Sequence, residues 1–442
     1  MKKNLFGTDG IREIMGHYPL TATALPALGH AIAQWAKNHC KAHPSILLAH
    51  DTRSSCYFIK AALKSGLLLH SVKVYDVLAL PTPAACLLTR NNKSFDCGVI
   101  ITASHNPYQY NGIKLVNANG SKISLEDEKE ISELFEQALN TAPTYESLGT
   151  DYRIFHAGAQ YLDVLSGYFK EQFLEGKTIA LDCAHGATSS LAPHIFRMFG
   201  AHVITINDKP TGVNINKESG ALYPEKLQQI VLENNADAGF AFDGDGDRVV
   251  AINRHGEIKD GDDILAILSL HPMHAKSKAI VGTLFSNQGL EYFANQHKKE
   301  FIRVNIGDKY VAQELAAKQL SIGAEPSGHI IIREYLESSD GIFTALQLFE
   351  TIMHHNNWDM ESFKHYPHVQ INVPIKTKKD LNTSPFAELI SESKNNLQNG
   401  RLIIRYSGTE NVIRIMLEAE DLQQADKIGS HLAQELGKLL TI

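Results

Sequence analysis

Short apolar runs alternate with longer amphipathic stretches along most of the chain. ILLAHD (46–51), VKVYDV (72–77) and CGVIIT (97–102) read as strands, and 54–70 and 126–139 as helices, the second with a charged outer face. The pattern returns with KTIALDC, a helix from about 189, AHVITI, a helix from Pro224 and DAGFAF, which ends before Asp243. It returns again with AIVGTLFS (279–286), a helix, FIRVNI (301–306), a helix and SIGAEPSGHIII. Strand–helix alternation of this kind predicts mixed, mainly parallel sheets covered by helices, in three units whose structure repeats though their sequence does not. The tail differs: VQINVPI, a helix near 385–395, GRLIIRYS, NVIRIMLEAE and a helix from 421 predict a small α+β domain with antiparallel strands. The polar NTAPTYESLG (140–149) reads as a linker. The expected organisation is three α/β domains over 1–150, 151–253 and 254–366, followed by an α+β domain over 367–442.

Each of the three units closes a strand with an unusual polar loop: TASHNP, FDGDGDR and GAEPSGH. In open α/β sheets, ligands lie beyond the carboxyl ends of strands, so these loops are expected to meet at one cleft. In FDGDGDR, Asp243, Asp245 and Asp247 alternate with glycines. Residues i, i+2 and i+4 of an extended run share a side, and three carboxylates there repel one another unless a cation lies among them. Hard oxygen ligands on a short loop suit Mg²⁺. A calcium EF-hand needs Gly at its sixth position and Glu at its twelfth; Arg248 and Arg254 stand there. The competing reading is a solvated acidic turn, since turns favour Asp and Gly. Arg248 is either a phosphate ligand, through its planar fork, or a counter-charge to the aspartates.

Ser104, in TASHNP, follows an apolar strand. The GxSxG setting of a hydrolase nucleophile is absent, because Thr102 and Asn106 stand at its glycine positions. Phosphoryl transfer through the serine oxygen fits better: a phosphoserine needs a dication and arginine to neutralise it, and FDGDGDR offers both kinds of group. Lys114, in NGIK, is a proton donor or acceptor, or a surface lysine. Glu325, Ser327 and His329 of GAEPSGH suit sugar hydroxyls, though the same residues make an ordinary hairpin turn. In RYSGTEN, Ser407 and Thr409 offer hydroxyls, Gly408 allows close backbone approach, and Arg405 and Arg414 add charge, the makings of an anion nest.

Composition narrows the partners. Of 442 residues, 43% are hydrophobic and 21% charged, and the formal net charge is −7. No global basic field exists, so nucleic acid is excluded as the main partner, while a local basic pocket for a phosphorylated ligand is not. The five cysteines form no CxxC pair, which argues against a zinc site or a disulfide framework. MKKNLFGTDG lacks the apolar run of a signal peptide, and no run approaches a membrane span. A cytoplasmic protein with no membrane partner is expected. Neither P-loop nor GxGxxG occurs.

Taken in order, FGTDGIRE, DTR (51–53), TASHNP, NGIK, DCAHGAT, GVNIN, FDGDGDRV, VGTLFSNQGLE, IGDKYV, GAEPSGH, DGI (340–342) and RYSGTE resemble the α-D-phosphohexomutases over nearly the whole chain. FGTDGIR, DCAHGAT, GVNIN and SNQGLE resemble its glucosamine branch more than its mannose/glucose branch. The resemblance implies a heart-shaped four-domain molecule around a central cleft. It also implies that glucosamine 6-phosphate and glucosamine 1-phosphate interconvert through a phosphoserine enzyme and a 1,6-bisphosphate, feeding amino-sugar and cell-wall precursors. The alternatives are a phosphomannomutase or phosphoglucomutase of the same mechanism, or a Mg²⁺-dependent sugar phosphatase. By the same resemblance, Ser104 is the phosphoserine, primed by a sugar 1,6-bisphosphate or ATP, and shares one Mg²⁺ with Asp243, Asp245 and Asp247. Arg248 contacts that phosphate. Arg12, Lys114 and His329 serve as acid, base or charge stabiliser. Glu325 and Ser327 bind sugar hydroxyls, and Arg405, Ser407, Gly408, Thr409 and Arg414 clamp the second phosphate. The expected partner is a hexosamine phosphate, and the expected assembly a monomer or homodimer. The chain departs from the family pattern at Glu13, His50, Tyr406, Asn411 and Pro326; the last removes a backbone N–H from the sugar loop.

Overall fold

A computed structural model describes all residues except 1–4, 8, 141–146, 398–399, 407–410 and 442. The chain divides into two compact units, one of residues 1–285 and 302–362, the other of 286–301 and 363–442.

The first unit is built on three sheets. The first contains β1 (Ile11–Ile14), β2 (Ser45–His50), β3 (Lys73–Ala79), β4 (Cys97–Ile101), β5 (Tyr110–Asn117) and β6 (Thr150–Arg153) in the order β1-β5-β4-β2-β3-β6. The second contains β7 (Thr178–Asp182), β8 (His202–Ile206), β9 (Ala238–Phe242), β10 (Val249–Asn253) and β11 (Ile258–Lys259), ordered β11-β10-β9-β7-β8. The third contains β12 (Ala279–Thr283), β13 (Glu300–Val304), β14 (Ile322–Ala324) and β15 (Ile330–Ile332), ordered β13-β12-β14-β15. Their central strands are buried along their whole length. Helix-covered strands need apolar side chains on both faces, and this is why ILLA, GVII, AGFAF and AIVG are continuous runs.

One arrangement occurs three times. A parallel pairing joins β2 to β4, β7 to β9 and β12 to β14; the last-named strand then turns back antiparallel into β5, β10 or β15. The three polar loops TASHNP, DGDGDR and EPSGH are the turns of these three hairpins. The expected alternation is therefore present, and the sheets are mixed: a parallel centre with an antiparallel flank. GAEPSGH is indeed a hairpin turn, and that turn is what carries Glu325 and His329 to the site.

Five α-helices of the first unit, Ala24–His39, Thr82–Asn91, Ala157–Ser166, Gly261–Leu268 and Gly341–His355, lie outside the predicted set. Nearly every side chain of the last two is buried. A helix enclosed on all sides has no polar stripe, so no 3.6-residue alternation marks it. The stretch read as a linker includes residues 141–146, outside the described residues, and leads into β6, which pairs with β3.

The second unit holds a three-stranded antiparallel sheet of β16 (His368–Pro374), β17 (Arg401–Tyr406) and β18 (Val412–Glu418), ordered β16-β18-β17, with helices Phe386–Asn396 and Leu422–Thr441. It matches the predicted α+β tail. Ile413, Ile415 and Leu417 face Leu432 and Leu436 in its core. Among the described residues no helix is long and apolar enough to cross a membrane, and all five cysteines are free thiols.

The helix Gly341–His355 starts on Asp340, whose carboxylate accepts the N–H of Phe343 and the hydroxyls of Tyr161 and Tyr335. Burial pushes the Asp340 pKa up from an ordinary 3.8 to about 6. A raised folded-state pKa gives stability that is complete below pH 3.8 and is lost as pH rises through 6. The stability advantage of the wild type over Asp340→Asn is therefore expected to shrink by roughly 3 kcal/mol between pH 3.5 and pH 8. Urea unfolding of both proteins across that range checks it; an unchanged difference contradicts the assignment.

Candidate active site

The three hairpin turns converge. Ser104 lies in the β4–β5 turn with a left-handed φ of +49° and is 1% exposed. Its Oγ donates to Asp243 Oδ2 at 2.7 Å, across the boundary between the first and second sheets. His105 Nδ1 lies 3.3 Å from the same Oγ, and burial, followed by the charges of Arg248 and Arg12, lowers its pKa to about 3. A neutral imidazole therefore sits beside the serine.

Asp243, Asp245 and Asp247 are all buried, and a ligand oxygen from each lies within 4.8 Å of the others. The turn can be this tight because Gly246 adopts φ +76° and gives its N–H to the Asp243 carboxylate at 3.0 Å. Asp243 also accepts the Arg248 N–H. Burial, then repulsion from Asp247 and Asp245, holds the Asp243 pKa well above the ordinary carboxylate range. Asp247 goes the other way: burial opposes its ionisation, but Lys114 and His329 outweigh it.

The balancing charges come from the neighbouring hairpins. Lys114, on β5, places Nζ 2.9 Å from Asp245 Oδ2, 2.9 Å from Asp247 Oδ2 and 3.0 Å from Asp9. Burial disfavours its charge, yet the three carboxylates hold its pKa well above the lysine range. His329, in the β14–β15 turn, reaches Asp247 at 3.0 Å through Nε2 and Glu325 at 3.1 Å through Nδ1. Against the cost of burial, Asp247 first among its partners raises its pKa to about 10. Its two ring nitrogens thus face two carboxylates, with Arg248 Nε 3.3 Å from Nε2. Arg248 and His329 are also joined by an antiparallel bridge, which ties the second and third turns together. Glu325 Oε1 accepts from Gly307 N, while Ser327 is exposed at the rim. Arg12, on β1, donates to Asn106 Oδ1 at 2.8 Å and Asp9 Oδ2 at 3.3 Å.

A cavity of about 430 Å³ opens onto this cluster, lined by Arg12, His105, Arg248, Glu325, Ser327 and His329 among others. Arg405 and Arg414 belong to the second unit. They stand directly opposite one another on β17 and β18. Burial and then the charge of Arg414 lower the pKa of Arg405. Ser407, Gly408 and Thr409 lie outside the described residues.

Several functional groups escaped the sequence reading. Thr82, at the start of a helix, donates its hydroxyl to Asp245 Oδ2 at 2.6 Å and its N–H to the Asp245 carbonyl. Asp9 collects Arg12, Lys114 and Lys122; against the cost of burial, Lys114 and then Lys122 keep its pKa well below the carboxylate range. Arg53 and Asn216 hold the backbone around Ser104. Only their places in the motifs DTR, FGTDG and GVNIN marked three of these; Thr82 carried no mark.

The donor set fits a metal ion. The Asp245 Oδ1 atom is buried without a hydrogen-bond partner, and an all-carboxylate cluster suits a hard cation.

Comparison with known proteins agrees. Family models described as phosphoglucomutase/phosphomannomutase alpha/beta/alpha domains I, II and III match residues 3–142, 159–256 and 260–366, and its C-terminal domain matches 371–435. The chain is 38% identical to the phosphoglucosamine mutase of Psychrobacter sp. (strain PRwf-1), with 98% of this chain and 99% of that protein covered. It is 38% identical to that of Acinetobacter baumannii (strain AYE), with 97% of each covered. Among solved structures, a phosphoglucomutase/phosphomannomutase family protein from Burkholderia thailandensis superposes with a TM-score of 0.81 at 20% identity, over 99% of this chain and 98% of the other. The Aspergillus fumigatus N-acetylphosphoglucosamine mutase, solved in complex with GlcNAc-6P and magnesium, gives 0.66 at 18% identity, over 99% and 96%.

Because burial and the neighbouring carboxylates raise the Asp243 pKa, a dication entering the triad competes with a proton there. Divalent-cation affinity, measured by calorimetry, is expected to rise by up to about tenfold per pH unit below the Asp243 pKa, with a buffer-dependent heat of proton release. Asp245→Asn is expected to weaken it by at least about tenfold. An affinity flat with pH, or unchanged in Asp245→Asn, contradicts the site.

Proposed function

This chain belongs to the phosphoglucomutase/phosphomannomutase family, and from that premise we propose that it is an isomerase interconverting glucosamine 6-phosphate and glucosamine 1-phosphate. The observation that carries the reaction class is the 2.7 Å contact of the Ser104 hydroxyl with an acidic triad otherwise enclosed by cations. The sugar rests on near-full-length identity to phosphoglucosamine mutases.

In the proposed cycle Ser104 carries a phosphoryl group. Its Oγ–P bond breaks as a bond forms between phosphorus and the sugar O1. The proton of the sugar O1–H ends on the released Ser104 Oγ, and the 1,6-bisphosphate results. The bisphosphate turns round, its 6-phosphoryl group passes back to Ser104, and glucosamine 1-phosphate leaves. Asp243, Asp245 and Asp247, with a phosphate oxygen of phospho-Ser104, would hold Mg²⁺, which when bound neutralises charge on the transferring group. Arg248 meets the same phosphate through its fork. Lys114 and His329, both held protonated, suit charge stabilisation and proton return to the leaving oxygen rather than base chemistry. Arg12 lines the cavity wall, which supports a role in stabilising charge on the reacting group. Glu325 and Ser327 orient sugar hydroxyls. Arg405 and Arg414, with Ser407, Gly408 and Thr409, take the phosphate that is not reacting. A phosphoryl donor, a sugar 1,6-bisphosphate or ATP, primes the serine. The protein works in the cytoplasm.

A coupled assay with glucosamine 6-phosphate, mannose 6-phosphate and glucose 6-phosphate tests the reading. The first is expected to react fastest. Ser104→Ala should lower turnover by at least about 10³-fold and abolish the phosphate adduct seen by intact mass. Arg405→Ala should raise KM by about tenfold, the loss of one charge-assisted phosphate contact. Free phosphate released by an active Ser104→Ala protein would point instead to a phosphatase.

A further inference from the structure

Arg53 is the largest fully buried side chain among the described residues, with no exposed surface. All five of its guanidinium N–H groups have partners. Nε donates to Asp51 Oδ2 at 2.8 Å. Nη1 donates to the carbonyls of Pro107 and Tyr110, and Nη2 to those of Ser104 and Asn106, both at 2.8 Å. From the far side, Asn216 Nδ2 donates to the same two carbonyls, Ser104 at 2.8 Å and Asn106 at 3.1 Å. Asp51 secures the arrangement by accepting the Thr102 hydroxyl, which in turn accepts the Ser104 N–H. The acidic turn packs directly on this construction: a Cβ at Gly244 would lie 2.6 Å from Asn216 Nδ2 and 2.7 Å from the Ser104 carbonyl oxygen. The neighbouring Thr52 and Ser54 donate to the carbonyls of His185 and Gly212, so the 51–54 turn is fastened to the second-sheet loops as well.

We propose that Arg53 and Asn216 are positioning residues for phosphoryl transfer: a two-sided clamp on the Ser104 and Asn106 carbonyls that fixes the serine against the metal-binding turn. The proposal rests on Ser104 being the phosphoryl carrier. In each cycle that side chain changes from a neutral hydroxyl to a phosphate of about −1.5 to −2 charge. A loop held by its side chain would shift with that change. The clamp holds main-chain oxygens and leaves Oγ free, so it resists neither state. Its charge is matched by Asp51, which makes its contribution one of place rather than field. It also maintains the left-handed backbone at Ser104, a conformation costly for a residue with a Cβ.

The test uses the full-length protein with Mg²⁺ and three variants: Asn216→Ala, Arg53→Lys and Ser104→Ala. Lysine keeps the charge beside Asp51 but has three donors and no fork. Two readouts are taken, the kcat/KM split with glucosamine 6-phosphate and the lifetime of the phosphoenzyme in the absence of sugar, by intact mass. Misplacement of the reacting group by about 1 Å costs up to about 10²-fold; kcat is expected to fall about tenfold in Asn216→Ala and about 10²-fold in Arg53→Lys, with KM within about twofold of wild type. The phosphoserine should lose its phosphate to water at least about threefold faster in both, because its shielding geometry is relaxed. Either readout at its wild-type value in Asn216→Ala overturns the clamp. If Arg53→Lys does not fold, Asn216→Ala decides alone. An active Ser104→Ala protein would remove the phosphoserine reading; an inactive one beside a wild-type-like Asn216→Ala would remove only the clamp.

Discussion

Three buried carboxylates on five consecutive residues are the constraint around which this molecule is organised. Like charges that close cannot all ionise in a low-dielectric setting unless opposite charge is brought to them. The chain brings it from elsewhere: Lys114 from the first sheet, His329 from the third, Arg248 from the acidic turn itself. What remains least balanced is Asp243, the carboxyl that accepts from the Ser104 hydroxyl, whose pKa burial and then Asp247 and Asp245 push up. The residual deficit is therefore placed at the point where a dication and a phosphate would meet.

The repeated hairpin explains how distant segments supply these groups. In each sheet a strand from the buried parallel centre turns back at its carboxyl end into an antiparallel partner. The turn emerges where α/β sheets bind ligands. One such turn offers a buried serine, one a carboxylate triad that could hold a metal ion, one a histidine with a carboxylate. Side chains on the returning strands then point into the same space, as Lys114 does from β5. A repeated scaffold with three different turns thus builds one composite site.

How much of this was legible follows from the same physics. Buried central strands were readable as apolar runs, and their polar turns stood out because Ser, His, Asp and Glu rarely follow such runs without a task. The antiparallel flanks were not readable, since β15 has only three residues and β10 continues a buried pattern without alternation. Helix Gly341–His355 left no amphipathic trace because it is enclosed. Thr82 looks like an ordinary helix start; its role depends on a carboxylate 163 positions away. Arg53 is the sharpest case. Arginine is normally a surface residue, and nothing local shows that five carbonyl and carboxylate oxygens will surround one.

That burial carries a consequence for how the site can change. A guanidinium enclosed without solvent must keep all its partners or pay the cost of a buried unpaired charge. Arg53 shares its carbonyls with Asn216 and its carboxylate with the strand that delivers Ser104. Any movement of the serine loop relative to the second-sheet loops would break several of these bonds together. The first and second sheets are in this way committed to one another at Ser104.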